Sequence, residues 1–381
     1  MDFIHGLWAF LTGTLVPFLF VLMVVVFIHE LGHFLVGRWN GVKVEAFSIG
    51  FGPEILGYND RHGTRWRLAL IPLGGYVRFL GDVGASSRED AEAMQRMPPE
   101  LRDKSFPSKS LWQRAAIVVA GPVANFLLAI AIYTGIFVSY PDISYSPVVD
   151  RVVEDSAAEA AGLQPGDRFV SIEGNEVSSF FDVQRVTMQS ADVPLAVQVD
   201  RGGQVIDVTL TPRMTEREDE FGNTYKTGLL GVVARSGEEN RIVRELGFGE
   251  AFVKALDRVW FVITSTFNFL GELILGKQDA SELRGPIGIG EITSDVATLG
   301  FVSLIGLMAV LSISIGLLNL FPIPMLDGGH LMFYAIEAVR GRKMSEGAQD
   351  IAYRIGIACV LGLMLFATSN DIVRVYGRIF G

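Results

Sequence analysis

Apolar residues gather in four long runs along this chain, and between the second and third run short apolar stretches alternate with polar turns. Crossing roughly 30 Å of hydrocarbon takes about 20 helical residues. The first run extends from about Leu7 to Val36, the second from about Ala115 to Val138, the third from about Phe301 to Leu320 and the fourth from about Ile351 to Ala367. Neither the second nor the third contains a charged residue, and the fourth tolerates Arg354 near one end. From Phe248 to Leu275, Lys254, Asp257, Arg258 and Glu272 are interleaved with Phe252, Leu256, Trp260, Ile263 and Phe267. That two-faced pattern predicts an amphipathic helix lying in the membrane interface. The first run has Asp2 and His5 where a signal peptide has basic residues, and it is longer than a signal peptide's apolar core, which predicts a retained helix.

The polar middle reads as a compact domain of short strands. Val148 to Val153, Arg168 to Ile172, Ala196 to Val199 and Val205 to Leu210 collect β-branched residues, with turns at Pro165-Gly166-Asp167, Glu173-Gly174-Asn175 and Gly202-Gly203. Ser156 is the expected N-cap of a short helix through Ala161 that Gly162 ends. Met214 to Lys226 reads as a polar loop, Gly228 to Val233 as a closing strand, and Arg88 to Arg96 as a solvated helix face. Lys and Arg orient the whole. Arg38 and Lys43, the Arg102–Arg114 cluster, and Arg340, Arg342 and Lys343 mark cytoplasmic flanks, whereas Asp142, Asp150 and a single Arg151 follow the second run. The N-terminus, the region from about 140 to 298 and the C-terminus are then expected outside the cytoplasm, although Arg374 and Arg378 run against the rule at the last of these.

Composition agrees with two alternating regimes. Half of the 381 residues are hydrophobic and 19% are charged, too apolar for an ordinary soluble chain. A formal net charge of -10 argues against nucleic acid as a partner, since a phosphate backbone is bound by clustered cations. Cys359 is the sole cysteine, which excludes a disulfide framework or a cysteine metal site within one chain.

The first apolar run carries HELGH, from His29 to His33. Two histidines four residues apart lie on one helix face about one turn apart, so both imidazoles can reach one metal ion, with Glu30 beside it as a general base. Ionisable groups in hydrocarbon cost at least about 2.5 kcal/mol each, and metal ligation is a compensating reason to keep them there. A catalytic zinc site needs a third ligand and an open position. NLFPIPMLDGGH, after the third run, offers both Asp327 and His330, with Pro322 and Pro324 breaking the helix before them. Asn125 and Asn319 are candidates for interhelical hydrogen bonding or for substrate contact. GPIGIG, Gly285 to Gly290, lacks the ending of a phosphate loop and reads as a close-packing bend. His5 and His62 read as ordinary polar residues.

Two resemblances extend this reading. AGLQPGDRFVSIEGNEV, Ala161 to Val177, resembles the signature of PDZ domains of the bacterial protease type, which implies peptide binding by strand addition to a sheet edge. HELGH in the first helix, the pattern from Asn319 to Gly328, GPVANF from Gly121 to Phe126 and the inserted PDZ-like domain together resemble the site-2 protease family of intramembrane zinc metalloproteases, nearest to the bacterial regulator-of-sigma-E type but with one PDZ-like domain. The resemblance implies that His29, His33 and Asp327 bind zinc, that Glu30 is the catalytic base and that His330 is not a ligand. It also implies that Val44 to Pro53 and Arg65 to Phe79 form a membrane-reentrant β-loop touching an extended substrate, with Gly74, Gly75 and Tyr76 among the contacts.

The expected fold is a polytopic α-helical membrane protein with about four transmembrane helices, a membrane-associated β-loop and one inserted PDZ-like α+β domain. Its divisions are 1–140, holding the HELGH helix, the β-loop at about 42–80 and the second transmembrane helix; 141–235, the PDZ-like domain; 236–298, an amphipathic interfacial region; and 299–381, the C-terminal membrane region. The expected function is intramembrane zinc endopeptidase, cleaving single-pass membrane proteins such as anti-sigma factors or signal-peptide remnants in a bacterial inner membrane. The PDZ-like domain would lie on the periplasmic side and bind peptide ends. A metal transporter or sensor using the same ligands is the alternative from another class, and a membrane scaffold displaying a peptide-binding domain is a third.

Overall fold

The protein is seen here in a computed structural model describing residues 11–83, 88–89, 97–218, 224–235, 237–276 and 279–380. A π-helical turn leads into helix α1, Val16–Trp39, followed by strands β1, Val44–Asn59, β2, Arg65–Phe79, β3, Asp82–Val83, and β4, Arg88–Glu89. Helix α2, Leu111–Ser139, precedes β5, Asp142–Tyr145, β6, Val149–Val152, β7, Arg168–Ile172, β8, Asn175–Glu176, and helix α3, Phe180–Gln189. Next come β9, Leu195–Arg201, β10, Gln204–Leu210, β11, Arg213–Glu218, β12, Thr224–Leu229, β13, Val232–Ala234, and β14, Arg241–Arg244. The chain ends in α4, Phe248–Ile274, α5, Pro286–Thr298, α6, Phe301–Asn319, α7, Asp327–Arg340, and α8, Glu346–Phe380.

Among the described residues four helical stretches are long and apolar enough to cross a membrane: Thr12–Trp39, Leu111–Ser139, Phe301–Asn319 and Gly347–Gly377. The last runs well past the expected end at Ala367, through Ser369, Asn370 and Asp371. The Asp371 carboxylate, fully buried, explains the extension: its oxygens accept the backbone N–H groups of Gly285 (3.1 Å) and Gly288 (2.9 Å), which open α5. A carboxylate is favoured at a helix N-terminus, where the first N–H groups lack helical partners. GPIGIG is thus the seam between α5 and α8, with no room for a Cβ at Gly285 or Gly288.

Close approach also sets α1 against α2. A Cβ on Gly32 would run into the Ala120 carbonyl oxygen and lie 2.8 Å from Ala124 Cβ. Beneath this contact Phe34, Val44, Phe47, Val77, Phe79, Ile117 and Val118 form a common core that anchors the β1–β2 sheet to the helices. The sheet is folded on itself. Ala46 to Ile49 pair with Arg65 to Leu68 on one side and with Arg78 to Gly75 on the other, and Leu56 to Asn59 pair with Leu68 to Arg65. The base is buried, while Phe51, Ile55, Leu56, Leu70, Ile71 and Leu73 are exposed, an apolar outer half suited to lipid.

The chain packs as two units, residues 1–133, 255–263 and 283–381 in one and residues 134–254 with 264–282 in the other. The second unit holds a sheet of order β10-β9-β7-β8, whose inner face buries Val149, Ala158, Phe169, Ile172, Val183, Val197, Val199 and Leu210. Ser156 accepts the Glu159 N–H at 3.2 Å as the expected N-cap, and Gly162 follows at φ 75°. Met214 to Lys226 is not a plain loop: β11 and β12 form a hairpin, pairing Glu216 with Lys226 and Thr215 with Thr227. Such polar cross-strand pairs stabilise a sheet without an apolar signal. The strand expected from Gly228 to Val233 is interrupted at Gly231, φ 78°, between β12 and β13. Of the helix face expected from Arg88 to Arg96, the first two residues form strand β4 instead, paired with β3, and the remainder lies outside the described residues, as does His5.

An ion pair with a buried carboxylate ties the core of the second unit to its turn. Burial pushes the Asp167 carboxyl up, but Arg201, donating to both oxygens at 2.7 Å, and the Gln164 N–H at 2.8 Å hold it below the ordinary carboxylate range. A carboxyl depressed in the folded state contributes stability above its unfolded pKa of about 3.9 and loses that contribution as pH falls through the folded value. Asp167→Ala is expected to destabilise this core by about 1–3 kcal/mol at neutral pH. Hydrogen-exchange protection of the β7 and β9 amides checks it, with the gap from wild type closing as pH falls below about 4.

Candidate metal centre

The two histidines of HELGH project from one face of α1 with their rings edge to face and their Nε2 atoms 3.2 Å apart. Asp327 Oδ2 lies 3.2 Å from His29 Nε2 and 3.4 Å from His33 Nε2. These three are brought together across almost the whole chain, and the local sequence before Asp327 explains how. Helix α6 ends at Asn319; Pro322 and Pro324 cannot continue it, Met325 takes φ 104°, and α7 restarts at Asp327. Gly328 and Gly329 let the returning chain lie directly on the carbonyl groups of Leu320, Phe321 and Ile323, where any Cβ would collide.

Whether this trio suits a metal is decided by its protons. His33 Nδ1 donates to the Ile117 carbonyl oxygen at 2.9 Å, so in the neutral ring Nε2 carries a lone pair. Asp327 Oδ2 is buried and receives no hydrogen bond. With both rings neutral and protonated on Nδ1, three electron pairs face one another at a separation that a cation or a proton between them relieves. Ligands about 2.0–2.1 Å from a tetrahedral zinc ion are about 3.3–3.4 Å apart, which the observed 3.2, 3.2 and 3.4 Å approach. Two imidazoles and one carboxylate are a catalytic-type donor set with a fourth position to spare. Gly121 of α2 keeps the adjoining space open: a Cβ there would strike His33 Nε2 and lie 2.9 Å from His29 Cε1.

Glu30 sits one residue round the helix, against the sheet. Its Cγ would be 3.2 Å from a Cβ on Gly75, and its carboxylate meets the Val77 backbone. Gly74, at φ 143°, has the Phe51 ring where a side chain would go, and the Tyr76 hydroxyl accepts from Arg67 Nη1 at 2.9 Å. Asn125 is fully buried behind His29, its Nδ2 3.4 Å from His29 Nδ1. Asn319 is half-buried at the end of α6. His330 lies apart from the three donors, buried on α7 with the Tyr353 hydroxyl 3.4 Å from both ring nitrogens. The Ile117 carbonyl went unread in the sequence, because a backbone acceptor leaves no residue-type signal.

The model of peptidase family M50 matches residues 17–363. A protein of Agrobacterium fabrum that carries a zinc metalloprotease name is 48% identical over 377 residues, covering 99% of this chain and all of the relative. The metalloprotease MmpA of Caulobacter vibrioides is 41% identical over 383 residues, covering 94% of this chain and 95% of its own. The PDZ domain of an SdrC-like protein from Listeria monocytogenes aligns with 23% of this chain and 84% of its own, at 19% identity and a TM-score of 0.19.

Gly121→Ala tests the open space beside the donors. It is expected to lower metal affinity about tenfold or more, an effect of the size seen when groups bordering a metal site are changed. Metal content of the purified variant after chelator dialysis, set against its thermal unfolding, checks the outcome.

Proposed function

The chain belongs to peptidase family M50, and from that membership we propose that this membrane zinc metalloprotease cleaves single-pass membrane proteins within or near their transmembrane segments, as a step in regulated proteolysis. The proposed substrates are of the anti-sigma-factor or signal-peptide-remnant kind, already shortened by an earlier cut on the outer side. The proposed setting is a bacterial inner membrane, with the PDZ-like domain on the periplasmic side screening intact substrates or holding the trimmed end. The observation that carries this reading is the convergence of three lone-pair donors beside Glu30 on a helix that is itself apolar enough to span a bilayer.

In this reading His29, His33 and Asp327 hold zinc, which when bound supplies Lewis acidity to the scissile carbonyl and the attacking water. The Glu30 carboxylate removes a proton from that water and delivers it to the leaving nitrogen. Substrate must be extended at the bond, because a helical peptide keeps its carbonyl oxygens in its own hydrogen bonds. The segment from Gly75 to Arg78 supports such a strand. Among the described strands it is paired only with Ala46 to Ile49, and Gly75 and Val77 lie against Glu30. A peptide added beside it would present a carbonyl near both the base and the metal, with Gly74, Gly75 and Tyr76 in contact; Asn319, where α6 gives way to the Pro322 turn, is the proposed contact from the opposite side.

Glu30→Gln is expected to lower kcat toward a model transmembrane peptide by about 10²–10⁴-fold while zinc content stays unchanged. Cleavage that survives both Glu30→Gln and chelation contradicts protease chemistry here, and a metal-transport site would tolerate the Gln. Orientation has its own check. In a Cys359→Ser background, a cysteine placed at Ser171 is expected to react with a membrane-impermeant maleimide in intact cells, whereas one at Ser108 is expected to react only after lysis.

A further inference from the structure

Helix α2 presents Ile117, Gly121 and Asn125 at intervals of four residues, a stripe along one face. Opposite them in antiparallel order stand His33 and His29. The Ile117 carbonyl takes the His33 Nδ1 proton at 2.9 Å, and Gly121 leaves space for the Nε2 atoms. Asn125 completes the stripe: its amide is the group that meets His29 Nδ1, at 3.4 Å, and it is fully buried.

As placed, the amide nitrogen faces the ring nitrogen and Oδ1 is buried without a partner. That pairing would require Nδ1 to accept, leaving the proton on Nε2, where it would face His33 Nε2 and the accepting Asp327 carboxylate, each 3.2 Å away, and deny a metal the His29 lone pair. Amide oxygen and nitrogen are told apart only by their partners. Rotating the amide by a half-turn sets Oδ1 against Nδ1–H, moves Nδ2 to the position Oδ1 held, and frees the Nε2 lone pair. The rest of Asn125 is fixed from behind by α6: Ser312 Oγ donates to its backbone carbonyl at 2.9 Å, and a Cβ on Gly316 would already be 3.2 Å from Asn125 Cβ.

We propose that Asn125 is a positioning residue for the metal centre, its side-chain carbonyl accepting the His29 Nδ1 proton and turning the Nε2 lone pair of His29 toward Asp327 and His33. The proposal rests on the reading of His29, His33 and Asp327 as zinc ligands. It gives Asn125 a role distinct from substrate contact. Histidine ligands owe their tautomer and ring orientation to the partner of the other nitrogen, and loss of such a partner typically weakens metal binding about 10–100-fold.

The test uses the purified full-length protein, with zinc affinity measured by competition with a chelator and the ligand field read from the cobalt(II)-substituted protein. Asn125→Leu keeps the volume and removes the acceptor; it is expected to weaken zinc binding about 10–100-fold and to shift the cobalt absorption bands. Asn125→Asp keeps an acceptor and is expected to restore affinity to within a few fold of wild type. This rescue separates positioning from a packing defect. Wild-type affinity and spectrum in Asn125→Leu overturn the proposal, and so does an Asn125→Asp protein as weak as Asn125→Leu. His29→Ala is the control for the underlying reading. Loss of zinc there combined with normal Asn125→Leu overturns the Asn125 role alone, whereas full zinc retention in His29→Ala overturns the centre and the proposal together.

Discussion

Three electron-pair donors cannot face one another at 3.2–3.4 Å in an apolar interior unless a cation or a proton stands between them. The His33 proton is engaged by Ile117, and Asp327 Oδ2 is sealed from other donors. A charge buried without its partner is among the most costly arrangements a membrane segment can hold. The helices around the site therefore have to deliver the donors together, and keep them apart from lipid, to within a few tenths of an ångström.

Glycine and proline accomplish this delivery. Gly32 lets α1 lie on the α2 backbone, Gly121 leaves the open volume at the donors, and Gly328 and Gly329 let α7 start directly against the turn that Pro322 and Pro324 create. Within the same unit, Asp371 ties α8 to the first turn of α5. Catalysis by water inside a membrane demands a rigid polar pocket, and close backbone approach supplies rigidity without adding side chains that would fill it. The β1–β2 sheet carries a strand segment up to Glu30 while its outer half stays apolar.

The placement of the two histidines and of Glu30 beside them could be read from the sequence because their geometry is local: a four-residue spacing on a helix fixes which face the histidines share. Asp327 was legible for a different reason, since two prolines and two glycines announce that the chain breaks and turns there. His330 competed with it on residue type alone until the family resemblance set it aside, and the fold turns His330 toward Tyr353. The partners of the histidines were out of reach, because the pairing of His33 with Ile117 and of His29 with Asn125 depends on the antiparallel register of two helices far apart in sequence. The polar hairpin at 213–229 was hidden for want of apolar alternation, its pairing resting on Thr and opposite charges. The extension of α8 through Asp371 had no local sign either, as a buried carboxylate in an apolar run is explained only by the helix it caps.

Everything proposed for this site requires that the HELGH histidines and Asp327 share one zinc ion. X-ray absorption at the zinc edge of the purified full-length protein tests it most directly. The expected spectrum has a shell of nitrogen and oxygen neighbours at about 2.0–2.1 Å with the outer scattering of two imidazoles and no sulfur. A sulfur shell at about 2.3 Å, or an imidazole count other than two, would contradict it.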